Sequence, residues 1–340
     1  MISIFETIAK LLMVVSLAYQ PYDNLEVYAL SILFINIILL LLYMYYVYMI
    51  IKGPQFKIVS YRTEIFKRMT KYSSWNFFGN VSYVFTWQGV NMMLNVFHGV
   101  TLNAAMGISN QVTNTISSFT TNFQVAYKPA IIQTYVQNKH DFEVLVCRAS
   151  KFSFLLLFVI LYPLYFNIDY VLGLWLGEYP AYTPAFLRVL LWSLLISSLS
   201  QPLYNALEAQ GNISRYQISA AIIQPMLIVY SYIVLSYGCS PVFAISSHVI
   251  LTAILQIILL YQLIKYGIIN YKELFFKVYY RSLFVVLLGV LFCSINIKQG
   301  FLAISVDILI ATSIIIIVGL NRCERQMLLR YISNIKRNDR

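Results

Sequence analysis

The sequence ALSILFINIILLLLYMYYVYMII, residues 29–51, is a predominantly apolar run without a charged side chain. A helix needs about 20 such residues to cross the ~30 Å hydrocarbon core of a bilayer. The run also lacks the two-residue alternation that marks the strands of a transmembrane barrel. This segment therefore predicts a membrane-spanning α-helix.

Similar runs recur along the whole chain, separated by short polar breaks. The ten candidate spans are 4–19, 28–51, 76–97, 102–126, 152–169, 183–206, 216–237, 242–264, 282–296 and 301–320. Of the 340 residues, 60% are hydrophobic and 11% are charged, whereas soluble domains carry about a quarter charged residues. The sequence predicts an all-α, polytopic transmembrane bundle of about ten helices.

The net charge of +11 is distributed as a topology signal. With the amino terminus in the cytoplasm, all but two of the 24 lysines and arginines lie on the cytoplasmic side; Lys298 lies outside, and Arg188 lies within a span. Positive residues concentrate in this way in the cytoplasmic loops of membrane proteins. We expect both termini in the cytoplasm, and we do not expect nucleic acid as a partner, because no soluble basic face gathers these charges.

Enzyme chemistry finds little support in the sequence. The four cysteines have no metal-ligand or CxxC spacing, and no glycine-rich phosphate loop is present. The predicted external connections are short, and PYDNLE offers only Asp23 and Glu26 as metal-binding carboxylates. We expect no enzyme activity, no cofactor and no metal.

Two of the predicted spans carry a stripe of polar side chains. In the fourth span the stripe follows the spacing 4, 3, 4, 3, 4, 3, which is one face of a helix. Its members are Asn103, Gly107, Asn110, Asn114, Ser117, Thr121 and Gln124. The third span repeats the pattern with Gln88, Asn91 and Asn95.

The stripe has two interpretations. Small and amide residues can mediate contacts between membrane helices. Alternatively, the stripe lines a hydrated cavity that offers neutral donors and acceptors to a polar cargo. A length of about six turns favours the cavity for the set. Arg188, near the outer end of its span, is interpreted either as a snorkelling residue or as a cation that contacts a phosphate.

Four motifs carry a family resemblance. They are YSSWNFFG (72–79), QGVNMMLNVFHG (88–99), NAAMGISNQV (103–112) and NFQVAYKP (122–129). From about Lys67 to Gln217 the chain resembles the polysaccharide and O-antigen flippases of the multidrug/oligosaccharidyl-lipid/polysaccharide exporter superfamily, which is MATE-like. The motifs are specific as a set.

The resemblance implies two six-helix lobes followed by two extra helices, with alternating access around a central cavity. It assigns residues 1–52 to the last two helices of a shortened first lobe, 53–75 to a basic cytoplasmic linker, 76–266 to a six-helix second lobe, and 267–340 to two extra helices and a basic tail. Four helices of the usual first lobe have no counterpart. A shortened gene product, a misassigned start and a half-carrier completed by a partner chain remain alternatives.

The resemblance implies a flippase of the bacterial inner membrane that translocates an undecaprenyl-diphosphate-linked oligosaccharide among the membrane lipids. The predicted cavity residues are Gln88, Asn91, Asn95, Asn103, Asn110, Asn114 and, as a diphosphate contact, Arg188. The alternatives are a cation-coupled drug exporter of the same superfamily, for which buried carboxylates would be expected, and a non-transporting remnant or scaffold.

Overall fold

The computed structural model describes residues 2–17, 24–50, 62–211, 213–292, 300–321 and 324–326. These residues form helices joined by turns, and they contain no strand. The prediction of an all-α bundle is confirmed. The lobe boundaries stay a prediction, and the linker residues 51–61 lie outside the described residues.

The helices vary in length from one turn to ten. The first seven are α1 (Ile2–Leu17), α2 (Asn24–Ile50), α3 (Thr63–His98), α4 (Val100–Gln137), α5 (Lys139–Phe166), α6 (Ile168–Leu176) and α7 (Thr183–Gln210). They are followed by α8 (Ser214–Ile223), α9 (Met226–Ser236), α10 (Pro241–Lys265), α11 (Tyr271–Leu274), α12 (Tyr280–Phe292) and α13 (Phe301–Ile314). Two π-helical segments, Phe275–Tyr279 and Ile315–Gly319, lie before α12 and after α13.

The chain divides into two compact units, residues 1–66 and 67–340. In the first unit, α1 packs against α2. In the second unit, α7 is the central helix and packs against α4, α5 and α10. The larger apolar core joins α4, α5 and α7 to α12 and α13, and a smaller one joins α3, α4, α7, α9 and α10.

Within the described residues, helices lie over all ten predicted spans. Among the described residues, seven helical segments are long and apolar enough to cross a membrane: 27–49, 139–166, 183–210, 214–236, 241–265, 271–292 and 301–319. The remaining predicted spans coincide with α1, α3 and α4. Helix α1 has only 16 residues. Helices α3 and α4, with 36 and 38 residues, are long enough, but their amides and hydroxyls lower their apolar character.

The helix directions in the second unit agree with an alternating series of spans. Ser109 Oγ lies 3.2 Å from the carbonyl oxygen of Thr183, and Lys128 Nζ lies 2.7 Å from a carboxylate oxygen of Glu208. The residue number on α7 rises together with the residue number on α4 from the first contact to the second. The two helices therefore run in the same direction. The ten-span prediction makes them the fourth and sixth spans, which must run in the same direction.

Two local features shape the region around the polar stripes. Gly99, with a φ of 78°, is the single residue between α3 and α4. This left-handed conformation favours glycine, which explains the HG sequence at the turn. The predicted span 216–237 is interrupted at Gln224 and Pro225, because proline has no N–H to continue the helical hydrogen bonds.

Candidate functional site

A polar cavity of about 660 Å³ lies between α3, α4, α7 and α10. Helix α8 and the break after it close one side with Tyr216 and Gln224. All of the lining residues belong to the second unit. The cavity therefore sits where the two polar stripes meet α7 and α10.

Four of the seven predicted site residues line this cavity. They are Gln88 and Asn91 on α3, and Asn110 and Asn114 on α4. Ser117, the next member of the α4 stripe, lines it as well. The helical spacing had placed these residues on common faces, and the structure turns those two faces toward one space.

The other three predicted residues do not line it. Asn95 and Asn103 lie nearer to the turn at Gly99 that joins α3 to α4. Arg188 donates a 3.0 Å hydrogen bond from Nη2 to Asp169 Oδ2, and both side chains are partly exposed. The structure thus gives Arg188 a carboxylate partner outside this cavity, and its contact with a diphosphate stays a prediction.

Amide and hydroxyl side chains give the cavity its hydrogen-bonding character, and three of its amides have a buried oxygen without a protein donor. Asn91 Oδ1, Gln224 Oε1 and Gln256 Oε1 are buried and accept no hydrogen bond from the protein. They come from α3, from the break after α8 and from α10. Leaving such an acceptor unpaired costs about 1–3 kcal/mol, so each oxygen calls for water or a ligand donor.

An aromatic pair forms another part of the wall. The rings of Trp87 on α3 and His248 on α10 are 4.8 Å apart between centroids. His248 Nδ1 lies 2.9 Å from Ser193 Oγ on α7 in a hydrogen bond. This bond fixes the imidazole and helps to hold Trp87 at the cavity, where its indole offers an apolar face beside the polar groups.

The sequence analysis missed most of the cavity residues outside the two polar stripes. Besides those already named, the polar ones are Thr113, Ser197, Ser200, Gln201 and Thr252. Two of the missed residues carried a signal in the sequence. An ionisable residue within a span, such as His248, is a functional candidate by default. Gln256 interrupts the apolar run LTAILQIILL, where a lone amide needs a partner.

The side chains that line the cavity end in uncharged groups. Among the lining residues, all of which the structure describes, none is Asp, Glu, Lys or Arg. The described residues also contain no group of three His, Cys, Asp or Glu side chains that could hold a metal ion. The arrangement is therefore suited to binding by neutral amides, hydroxyls and aromatic rings.

Comparison with known proteins identifies one domain. Residues 78–233 match the MatE family model. The matched segment starts within α3 and ends within α9, so it includes every cavity-lining element except α10. No curated protein and no solved structure matches the chain.

The MatE match and the membrane-length helices together support an integral membrane transporter of the MATE-like superfamily. MatE proteins are transporters and not enzymes. Most of the cavity lining lies in the matched part of the chain, which makes the cavity the first candidate for the transport site.

Proposed function

We propose that this protein is a flippase component that moves the sugar headgroup of an undecaprenyl-diphosphate-linked oligosaccharide across the bacterial inner membrane, for surface polysaccharide or O-antigen export. The observation that supports this most strongly is the neutral cavity lined by amides. Sugar rings present many hydroxyl groups, and they match a wall of amide and hydroxyl side chains. The volume of about 660 Å³ lies within the usual range of 300–1,000 Å³ for small-molecule sites.

Each wall has a distinct role in this proposal. Asn91, Gln224 and Gln256 accept hydrogen bonds from sugar hydroxyls, while Asn110 and Asn114 donate and accept through their amide groups. Trp87 stacks on the apolar C–H face of a sugar ring. No bond is made or broken, and no cofactor takes part. The protein supplies a polar path through the bilayer that replaces the water around the headgroup.

The cavity argues against a cation-coupled drug exporter. A cationic drug or a coupling ion needs a carboxylate in or near its path, since an uncompensated charge in the membrane is expensive. The cavity lining contains no Asp or Glu. The uncharged sugars of the headgroup fit this surface better than a cation does.

A non-transporting scaffold is the other alternative. Packing alone would favour pairing of the buried amides with one another, as polar residues do between membrane helices. Three buried carbonyl oxygens remain without a protein donor instead. That arrangement favours a cavity that binds a ligand when the protein functions over a scaffold that only packs its helices. In one form of this proposal, a partner chain completes the first lobe of the active carrier. Both termini of this chain lie in the cytoplasm.

The proposal is tested by replacing both Asn110 and Asn114 with leucine, which is similar in size and cannot form hydrogen bonds. The matched control is Asn122→Leu, because Asn122 is exposed on the same helix and does not line the cavity. The full chain is reconstituted in liposomes with the lipid-linked oligosaccharide, and the exposure of the glycan in the opposite leaflet is followed over time.

We expect the double variant to flip the lipid at least 10-fold more slowly, since two lost hydrogen bonds of about 1 kcal/mol each correspond to that factor or more. The control should flip at the wild-type rate. Equal rates for all three proteins would show that the amides of α4 do not face the cargo.

A further inference from the structure

A second groove lies between α8 and α10, and its lining shares no residue with that of the polar cavity. It has a volume of about 350 Å³ and lies at the first turns of α8 and the last turns of α10. Two cations, Arg215 and Lys265, line it. The groove contains no carboxylate among its lining residues, all of which are described.

The two cations are held by aromatic rings rather than by acids. Arg215 Cζ lies 5.8 Å from the ring centroid of Tyr266, and Lys265 Nζ lies 5.5 Å from that of Tyr261. Within the described part of the chain, neither cation forms an ion pair. Their hydrogen-bond donors thus remain available to an anion.

Two buried polar atoms in the same groove also lack a partner. They are Gln262 Oε1 and Tyr266 Oη. The Gln262 side chain belongs to a residue that is only 6% exposed, and it lines the groove. A ligand that satisfied the whole site would bring an anion for the cations and a hydroxyl group for the carbonyl oxygen of Gln262.

The apolar part of the groove explains how such a ligand would be attached. Ile218 and Ile258 form its floor. The exposed Ile222 and Ile254 continue these two rows, one turn farther from the charged ends of α8 and α10. A ligand with a charged head at the helix ends and a hydrocarbon tail along the isoleucines would fit both parts.

We propose that this groove binds the headgroup of an anionic glycerophospholipid. Arg215 and Lys265 contact the phosphodiester, Gln262 accepts a hydrogen bond from a headgroup hydroxyl, and one acyl chain lies along Ile218 and Ile258. Basic pockets between membrane helices are suited to such headgroups. In the predicted orientation, this end of both helices faces the cytoplasmic leaflet.

The test uses the purified full chain, exchanged into detergent with defined lipids, and counts bound lipids by native mass spectrometry. Phosphatidylglycerol is the anionic probe, and phosphatidylcholine is the probe with the same phosphodiester and no net charge. The variant is Arg215→Gln with Lys265→Gln. The matched control is Arg68→Gln with Lys139→Gln, which removes the same two kinds of charge from exposed positions outside the groove.

We expect the wild-type protein and the control to retain phosphatidylglycerol in preference to phosphatidylcholine. Affinity for phosphatidylglycerol should fall about 5-fold for each cation removed and about 25-fold for both. Wild-type retention by the groove variant, or no preference in the wild-type protein, would overturn the proposal. If the double variant is not monodisperse, Lys265→Gln alone provides the test, with an expected loss of about 5-fold.

A competition experiment distinguishes a lipid from a free anion. Inorganic phosphate at millimolar concentration should leave the retained phosphatidylglycerol in place, because it lacks the acyl chain that contacts the isoleucines. Displacement by phosphate would mean that the groove is a site for small anions and would overturn the lipid assignment. Neither result depends on what the polar cavity carries.

Discussion

Gly79 on α3 lies against the side chain of Gln217 on α8. A Cβ atom at this position would overlap the side-chain amide of Gln217. That amide donates hydrogen bonds of 3.1 Å to Asn76 Oδ1 and 2.8 Å to Tyr204 Oη. Tyr204 in turn donates to Asn76 at 3.2 Å. Glycine at position 79 therefore makes room for a polar network that joins α3, α7 and α8.

The first prediction concerns this contact. Gly79→Ala should lower the thermal stability of the detergent-solubilised protein, because the displaced Gln217 loses hydrogen bonds and the helices are overpacked at a cost of about 1–3 kcal/mol. The control is Gly107→Ala, where a Cβ meets nothing within 4 Å. That variant should be unchanged or up to about 1 kcal/mol more stable, because alanine favours the helix.

A double variant makes this prediction specific. Gln217→Ala removes the side chain that obstructs position 79, so Gly79→Ala should have little further effect in that background. A full additional loss of stability in the Gln217→Ala background would contradict the role assigned to Gly79.

The place of a single residue could be predicted from the sequence only where its partners are close to it in the chain. Asn110 and Asn114 were identified because helical spacing alone puts them on one face. Gln256 and Ser193 were missed because their place in the cavity depends on how α10 and α7 pack against α3, which periodicity does not contain. Arg188 was ambiguous for the same reason, since its partner Asp169 lies on a separate helix.

At the scale of helices, a residue outside α8 and α9 supplies the hydrogen bond that is lost at the break between them. Pro225 cannot donate to the carbonyl oxygen of Ala221, four residues earlier. Ser82 Oγ on α3 donates to that oxygen at 3.0 Å instead. A freed carbonyl in a membrane helix needs such a substitute donor, because lipid offers none. One hydrogen bond thus ties α3 to the break that places Gln224 at the cavity.

The second prediction concerns the hydrogen bond from Ser82 to the Ala221 carbonyl oxygen. Ser82→Ala should cost about 1–3 kcal/mol of stability, because it leaves the Ala221 carbonyl unpaired. In a Pro225→Ala background, the alanine N–H can pair with this carbonyl, and Ser82→Ala should cost much less. The thermal midpoints of the wild-type protein, both single variants and the double variant measure the coupling.

The control for this cycle is Ser118→Ala, because Ser118 bonds only within its own helix, to the Thr115 carbonyl at 2.6 Å. Its loss should be small in both backgrounds. An equal cost of Ser82→Ala with and without Pro225 would refute the compensation.

The helices themselves were more predictable than their breaks. Apolar length alone located helices over all ten spans, since membrane thickness fixes how long such runs must be. The interruption at Pro225 was missed because the surrounding run, AAIIQPMLIVY, is apolar enough to hide it. The long helices α3 and α4 were located in the same way, although their amides and hydroxyls make their composition less typical of a span.

At the scale of the whole molecule, the charge distribution predicts one orientation. Cys239 is exposed in the turn between α9 and α10, which should face the outside. Lys139, at the start of α5, is also exposed and should face the cytoplasm. These two positions lie at opposite ends of the predicted spans and can report on the topology directly.

The third prediction is a labelling pattern. In a protein whose other cysteines are replaced by alanine, a membrane-impermeant maleimide should label Cys239 in intact spheroplasts. With Cys239→Ala and Lys139→Cys, labelling should require lysis. Mass spectrometry of the labelled protein measures both. The reverse pattern would mean that the bundle is inverted and that the lipid groove faces the outer leaflet.

The proposed function requires that the uncharged sugars of a diphosphate-linked lipid pass through the cavity. The most direct measurement is the rate at which an undecaprenyl-diphosphate-linked oligosaccharide becomes accessible to an external glycan-modifying enzyme in liposomes that contain the full chain, beside the uptake of a cationic dye. We predict that the glycan becomes accessible faster than in protein-free liposomes and that the dye is not taken up. Dye uptake without glycan exposure would contradict the account and favour a drug exporter, while the absence of both would favour a scaffold.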